Sequence, residues 1–123
     1  MLNSFGNIQK MLSVNLKNKY CIEIEFRVKG NEKFQSCCMG KMPNKANRGK
    51  EVYWFGLNQD GSQAFEYDNF ENFSSAPVFD GKSLKDIWNE IELISINGCE
   101  PEDVISKLLI CLLYTSPSPR DRG

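Results

Sequence analysis

An alternation of apolar and polar side chains over residues 20–29 constrains the fold of this 123-residue chain more than any other feature. In a β-strand, successive side chains point to opposite faces of the sheet. The alternation therefore predicts a half-buried strand, apolar towards a core and charged towards solvent. The apolar set is Tyr20, Ile22, Ile24, Phe26 and Val28, and the polar set is Cys21, Glu23, Glu25, Arg27 and Lys29.

Further strands follow from apolar runs that are bounded by turn residues. The stretch from Gly30 to Lys33 predicts a turn, after which residues 34–42 form the second strand of a hairpin. Residues 51–57 and 63–67 predict a second hairpin, since the first of these runs is rich in aromatic and β-branched residues. Residues 92–96 then predict one more strand, which ends at an Asn-Gly turn.

Two helices are expected in the last third of the chain. Ser83 is a good N-cap with Asp86 three residues later, and the apolar residues that follow lie on one helical face. A second helix is expected from Pro101, because proline and acidic residues favour a first helical turn. A short helical turn around Phe70 and Phe73 is an alternative to irregular structure there. The apolar face of the first helix consists of Leu84, Ile87, Trp88 and Ile91.

These elements predict an α+β domain over residues 19–109, with residues 1–18 left unassigned. One antiparallel sheet is built from two β-hairpins plus a further strand, and an amphipathic helix covers one face. The expected core consists of Ile22, Ile24, Phe26, Tyr53, Phe55, Leu84, Ile87, Trp88 and Ile91.

The C-terminal segment has a composition unlike the rest of the chain. Residues 111–121, CLLYTSPSPRD, resemble the in-frame translation of a transposase-type sequencing-library adaptor, residue for residue. We therefore expect residues 110–123 to be a non-native tail and the domain to be truncated before its natural C-terminus.

Composition excludes several kinds of chemistry. The chain has no histidine, which removes His-ligated metal sites and catalysis by Ser-His or Cys-His pairs. It also lacks a phosphate-binding glycine loop and a nucleophile motif. Without CxxC spacing or a secretion signal, its cysteines, the adjacent Cys37 and Cys38 included, are expected to be reduced and structural. We therefore expect a cytoplasmic protein that is not an enzyme, uses no metal or other cofactor, and does not enter a membrane.

Charge is distributed unevenly along the chain. Residues 1–50 carry ten basic and three acidic residues, whereas residues 51–109 carry three basic and twelve acidic ones. This split indicates either a nucleic-acid-binding face or an acidic interaction surface, or simply strands of opposite charge paired in one sheet. The last alternative is favoured, because the halves are too short to be separate domains.

The residues chosen for partner binding are an aromatic residue and its expected basic neighbours. Alternation places Trp54 opposite to Tyr53 and Phe55, on a sheet face that could be uncovered. Basic groups beside an aromatic ring suit phosphate contact and base stacking in single-stranded nucleic acid. The set is Lys41, Lys45, Arg48, Lys50 and Trp54.

The stretch from residue 19 to residue 101 resembles a family of small uncharacterised open reading frames of anaerobic bacteria. The residues that carry the resemblance are 24–30 (IEFRVKG), 39–42 (MGKM), 53–57 (YWFGL) and 79–84 (FDGKSL). The resemblance implies no activity, ligand or partner.

From the residues alone, we expect a non-catalytic module that binds a protein or has a regulatory role. The alternative is a nucleic-acid accessory protein that uses the basic hairpin and loop.

Overall fold

The computed structural model describes residues 4–12, 21–44, 50–58 and 61–107. Within these ranges the chain forms five β-strands, three α-helices and two short 3-10 helices, an α+β architecture. The strands are β1 (Ile22–Val28), β2 (Cys37–Pro43), β3 (Glu51–Gly56), β4 (Ala64–Tyr67) and β5 (Ile91–Ile96). The helices are α1 (Phe5–Leu12), α2 (Phe70–Ser75) and α3 (residues 101–107), with 3-10 turns at Glu32–Phe34 and Trp88–Glu90.

All five strands belong to one antiparallel sheet with the order β4-β3-β2-β1-β5. Strands β1 to β4 follow one another across the sheet, and β5 returns to pair with the free side of β1. The sheet is open rather than closed into a barrel. The predicted fold class, two hairpins plus a further strand in one antiparallel sheet, is confirmed.

The two faces of the sheet differ as the alternation in β1 predicts. The seven residues of β1 are buried and exposed in strict alternation, beginning with buried Ile22. The side that carries Ile22 packs against the helices and is called the covered face below. The side that carries Glu23 and Glu25 is called the open face.

Aromatic rings dominate the core on the covered face. Phe55 of β3 stacks on Phe73 of α2, with ring centroids 4.2 Å apart and an interplanar angle of 13°. Tyr53 and Phe79 contact this pair edge-on or at a tilt, with centroids 5.5 to 5.8 Å from one of its rings. Offset and edge-to-face contacts of this kind add to the free energy of burial.

Helix α1 lies within the segment that the sequence left unassigned. Its Ile8, Met11 and Leu12 are fully buried and belong to the same core cluster as the sheet. Phe5 packs on Phe70 and Trp88, with ring centroids 5.8 and 5.6 Å away. The core therefore includes residues that precede residue 19.

The predicted helix over residues 84–91 is wrong. Its N-cap forms as expected, because the Ser83 backbone N–H donates to Asp86 and the Asp86 N–H donates to the Ser83 hydroxyl. After this turn the chain passes through Trp88–Glu90, and Ile91 enters β5 opposite Val28. Sheet pairing thus overrides the helical periodicity. Leu84, Ile87 and Ile91 are still buried, whereas Trp88 is only half-buried and not a full core residue.

At Phe70 and Phe73 the structure has the helical alternative rather than irregular structure, and the turn predicted at Asn97-Gly98 is confirmed. Phe70 and Phe73 lie in the short helix α2, whose N-cap Asn69 accepts a hydrogen bond from the Asn72 N–H. The turn at Asn97-Gly98 has positive φ at both residues, as a tight hairpin turn requires. None of the helices in the described part of the chain is long and apolar enough to cross a membrane. Residues 110–123, the expected adaptor-derived tail, lie outside the described residues.

Candidate interaction surface

The open face brings side chains of all five strands onto one surface. The exposed side chains of β1 on this face are Glu23, Glu25 and Arg27, and Cys21 just before the strand is exposed as well. On β4, Ala64 and Glu66 are exposed. At the β5 edge, Ile94 is 47% exposed. This surface is therefore the candidate site.

Trp54 lies near the centre of the open face, as the sequence predicts. Its strand neighbours are Gly40 across β2 and Glu66 across β4. A Cβ atom added to Gly40 would lie 3.1 Å from Cζ2 of the indole, and one added to Gly56 would lie 3.9 Å from Cζ3. The two glycines thus leave room for the six-membered ring to lie against the sheet.

Gly40 is itself held closely by the neighbouring strand. Its added Cβ would lie 1.8 Å from the carbonyl oxygen of Ile22, a distance that no side chain tolerates. Glycine at this position therefore allows both the close approach of β1 and the position of the Trp54 ring.

Among the described residues, carboxylates rather than basic groups flank Trp54. The register aligns Glu66, Trp54, Gly40 and Glu23 in one line across four strands, which we call the Trp54 row. With strands about 4.8 Å apart, the two glutamates of the row are separated by roughly 14 Å at the backbone, with the indole between them. The tryptophan thus lies in an acidic setting.

The rest of the open face carries one further carboxylate and one ion pair. The Glu25 carboxylate accepts a hydrogen bond of 2.6 Å from the Ser95 hydroxyl. Arg27 donates from Nε to Glu92 at 2.6 Å, so its charge is largely neutralised. That ion pair and its hydrogen bonding lower the pKa of Glu92.

Lys41 does not lie beside Trp54, which corrects the expectation from the sequence. It shares the covered face with Tyr53 and Met39, and its side chain is completely buried. Its Nζ lies 3.1 Å from a carboxylate oxygen of Glu51 and 5.6 Å from the centre of the Tyr53 ring. Burial lowers the pKa of Lys41, while Glu51 opposes that shift. A buried charge requires such partners, and here they hold Lys41 away from the open face.

The other basic residues of the predicted site are not gathered around Trp54 by the described residues. Lys50 is exposed just before β3 begins. Lys45 and Arg48 lie outside the described residues. Sequence reasoning missed Glu23 and Glu66 as neighbours of Trp54, because only the strand register aligns them.

The adjacent cysteines lie on opposite faces, as strand geometry predicts. Cys37 is buried, donates to the Leu57 carbonyl at 3.5 Å, and has its pKa raised to about 11, chiefly by burial and also by Cys38. Burial, the charges of Glu23 and Glu25, and a hydrogen bond to Glu23 raise the pKa of Cys38 as well. Both thiols are therefore protonated at neutral pH and are poor nucleophiles.

Clusters able to hold a metal are not found within the described ranges, where no three Cys, Asp or Glu side chains are suitably placed. This statement covers Glu66 of β4, Asp68 just after it, and Glu71 of α2. Two of the shallow depressions among the described residues lie at the open face and at the β3–β4 hairpin. One, of about 380 Å³, lies at the open face beside Glu25 and Ile94. The other, of about 690 Å³, is spanned by the Lys33–Asp80 ion pair at the end of the β3–β4 hairpin.

Comparison of the chain with protein-family models, curated proteins and solved structures finds no match. The functional argument therefore depends on the residues of the open face and their geometry. Trp54, whose six-membered ring lies beside Gly40 and Gly56, is the feature on which that argument is built.

Proposed function

We propose that this protein is a non-catalytic binding or regulatory module that recognises another protein through its open face. The observation that carries the proposal is the position of Trp54, a large, half-buried aromatic side chain on the sheet face opposite to the core. Tryptophan is enriched among the residues that dominate binding energy at protein interfaces. A rigid sheet also presents such a residue with little loss of conformational entropy on binding.

The chemistry of the titratable groups supports a binding role over a catalytic one. The thiols of Cys37 and Cys38 have raised pKa values, and the Lys41 amine is buried against Glu51. None of these three groups combines an accessible position with an activated state, as a nucleophile needs. The proposal keeps the cytoplasmic location expected from the sequence, where free thiols such as Cys21 and Cys99 are ordinary.

Nucleic-acid binding, the alternative from the sequence, is less favoured by the surroundings of Trp54. A base stacked on the indole would bring its phosphates close to Glu66 and Glu23. The negative charges of the phosphates and of these two carboxylates would repel one another and so oppose binding. Lys50 is exposed, but at the far end of β3 from the Glu25 side of the face.

Site-specific photo-crosslinking tests the proposal. We would place p-benzoylphenylalanine at Ala64, on the open face beside Trp54, and in a matched protein at Asn72, which is exposed on α2. Both proteins are irradiated in extract of cells that express the full chain. We expect a discrete protein adduct from position 64 and none from position 72.

Two further variants decide whether the adduct reports on the open face. Adding Trp54→Ala to the position 64 protein should abolish the adduct, because the central aromatic contact is lost. The double change Lys45→Glu and Arg48→Glu should leave it unchanged. Equal adducts from positions 64 and 72, or none from either, would contradict the proposal. An adduct that contains nucleic acid and requires Lys45 and Arg48 would instead establish the alternative.

A further inference from the structure

The size of the open face limits what it can bind. Five strands about 4.8 Å apart, each four to seven residues long, give a surface on the order of 400 Å². A stable interface between two folded proteins buries about 800 Å² on each partner. The open face is therefore suited to a short protein segment rather than to a whole folded domain.

The charge of the open face selects the kind of segment. The described strands contribute four carboxylates to this face and one guanidinium, which pairs with Glu92, so the other three carboxylates carry the net negative charge. Lys41, the basic residue of central strand β2, is turned to the covered face. A partner segment gains complementary charge if it is basic and meets repulsion if it is acidic. The carboxylates are Glu23, Glu25, Glu66 and Glu92.

The Trp54 row adds a specific binding position to this general charge. A Cβ atom added at Gly40 or at Gly56 would lie against the six-membered ring of the indole, so both glycines leave space for this half-buried side chain on the open face. A cationic side chain above an indole is attracted by the ring, most strongly among the aromatic residues. From that position, Glu66 on one side and Glu23 on the other are the neighbouring carboxylates of the row.

We infer that the open face binds a short basic protein segment, with one lysine or arginine stacked on Trp54 and paired with Glu66 or Glu23. This inference rests on the proposed function and names the partner's chemistry. The carboxylates give the attraction, and the indole gives the position at which a single cation is recognised.

Fluorescence anisotropy with a labelled peptide tests the inference on the full chain. The probe is a peptide of alternating arginine and threonine, compared with the same peptide carrying glutamate for arginine and with oligothymidine. We expect the arginine peptide alone to bind, with an affinity that falls as salt is added. Trp54→Ala and Glu66→Lys should each weaken binding by about fivefold to tenfold, through loss of the cation–π contact and reversal of the ion pair.

A matched control separates a specific position from net charge. Glu71→Lys makes the same change in charge on α2, behind the covered face, and should leave affinity for the arginine peptide within about twofold. Glu66 is exposed, so Glu66→Lys tests the position even if Trp54→Ala alters the fold. Equal weakening by Glu66→Lys and Glu71→Lys would overturn the inference, as would tighter binding of the glutamate peptide or of oligothymidine.

The outcome also separates this inference from the proposed function. If the arginine peptide does not bind but the adduct from position 64 persists, the face binds a protein of other chemistry and the inference is wrong. If the adduct is missing as well, both proposals are wrong.

Discussion

Replacing Phe73 with alanine is a severe test of the core. Phe73 is fully buried and stacks on Phe55 at 4.2 Å. Its ring also lies 5.8 Å from Tyr53, 5.8 Å from Phe70 and 6.4 Å from Tyr67. It anchors α2, a helix of six residues, far shorter than the ~12–15 residues at which isolated helices become even marginally stable.

The magnitude follows from burial, the cavity and the ring contacts. Truncation of a buried phenylalanine to alanine costs about 3–5 kcal/mol, because transfer energy is lost and a cavity remains. Each well-placed aromatic pair contributes roughly 0.5–1.5 kcal/mol more. With one stacked partner and three at wider spacing, we expect Phe73→Ala to lower the free energy of unfolding by about 4–5 kcal/mol. For a domain of this size that is a fall in Tm of about 15 °C or more.

Urea unfolding followed by circular dichroism measures the effect. Phe73→Leu should cost about 1.5 kcal/mol or less, since it largely preserves apolar volume. Phe65→Ala is the matched control, because Phe65 lies on edge strand β4 and is 36% exposed. We expect that control to cost about 1–2 kcal/mol. If Phe73→Ala were no more destabilising than Phe65→Ala, α2 would not cover the sheet and the reasoning would fail.

Three other changes test separate features. Gly40→Ala should cost about 2 kcal/mol or more in urea unfolding and shift tryptophan emission, because its Cβ would meet the Ile22 carbonyl at 1.8 Å; unchanged stability would refute the close approach of β1 and β2. At pH 8, iodoacetamide should modify exposed Cys21 long before Cys37, whose pKa is raised to about 11, and equal rates in peptide mass spectrometry would contradict the burial of Cys37. The hydrogen bonds of Ser83 lower the pKa of Asp86, so its carboxylate stabilises the fold above its ordinary pKa, and that stability is lost as pH falls through the lower folded value. Asp86→Asn should therefore be less stable than the wild type at neutral pH, and the difference should shrink in acid; a difference independent of pH would rule this out.

Local patterns predicted the strands well, because apolar residues in β1 alternate with polar ones and the buried residues alternate with the exposed ones in the same way. The sequence also held the signal for α1, since Ile8, Met11 and Leu12 stand at helical spacing and the Ser4 hydroxyl caps the helix by accepting from the Asn7 N–H, but the segment is short. Periodicity alone could not predict that residues 84–91 abandon the helix, since Ile91 gains more by pairing in β5 opposite Val28. The strand with which Ile91 pairs, β1, lies more than sixty residues earlier in the chain, so the local sequence does not reveal the pairing.

The site was predictable only in its aromatic part. Alternation placed Trp54 on the face opposite to Tyr53, and the structure agrees. It could not place Lys41, because β2 alternates weakly and a lysine is expected to face solvent. The proximity of Glu51, which makes inward burial tolerable, depends on the register between β2 and β3.

The strand order has a consequence for synthesis. Strands β1 to β4 can pair one after another as the chain emerges from the ribosome, but β5 joins β1 across about seventy residues. Until Ile91–Ile96 is made, the outer side of β1 presents unpaired backbone groups next to a strictly alternating apolar surface. An edge of this kind pairs readily with other chains. The interval between the appearance of Val28 and that of Ile91 is therefore the period in which a nascent molecule is most exposed to aggregation, and β5 ends it.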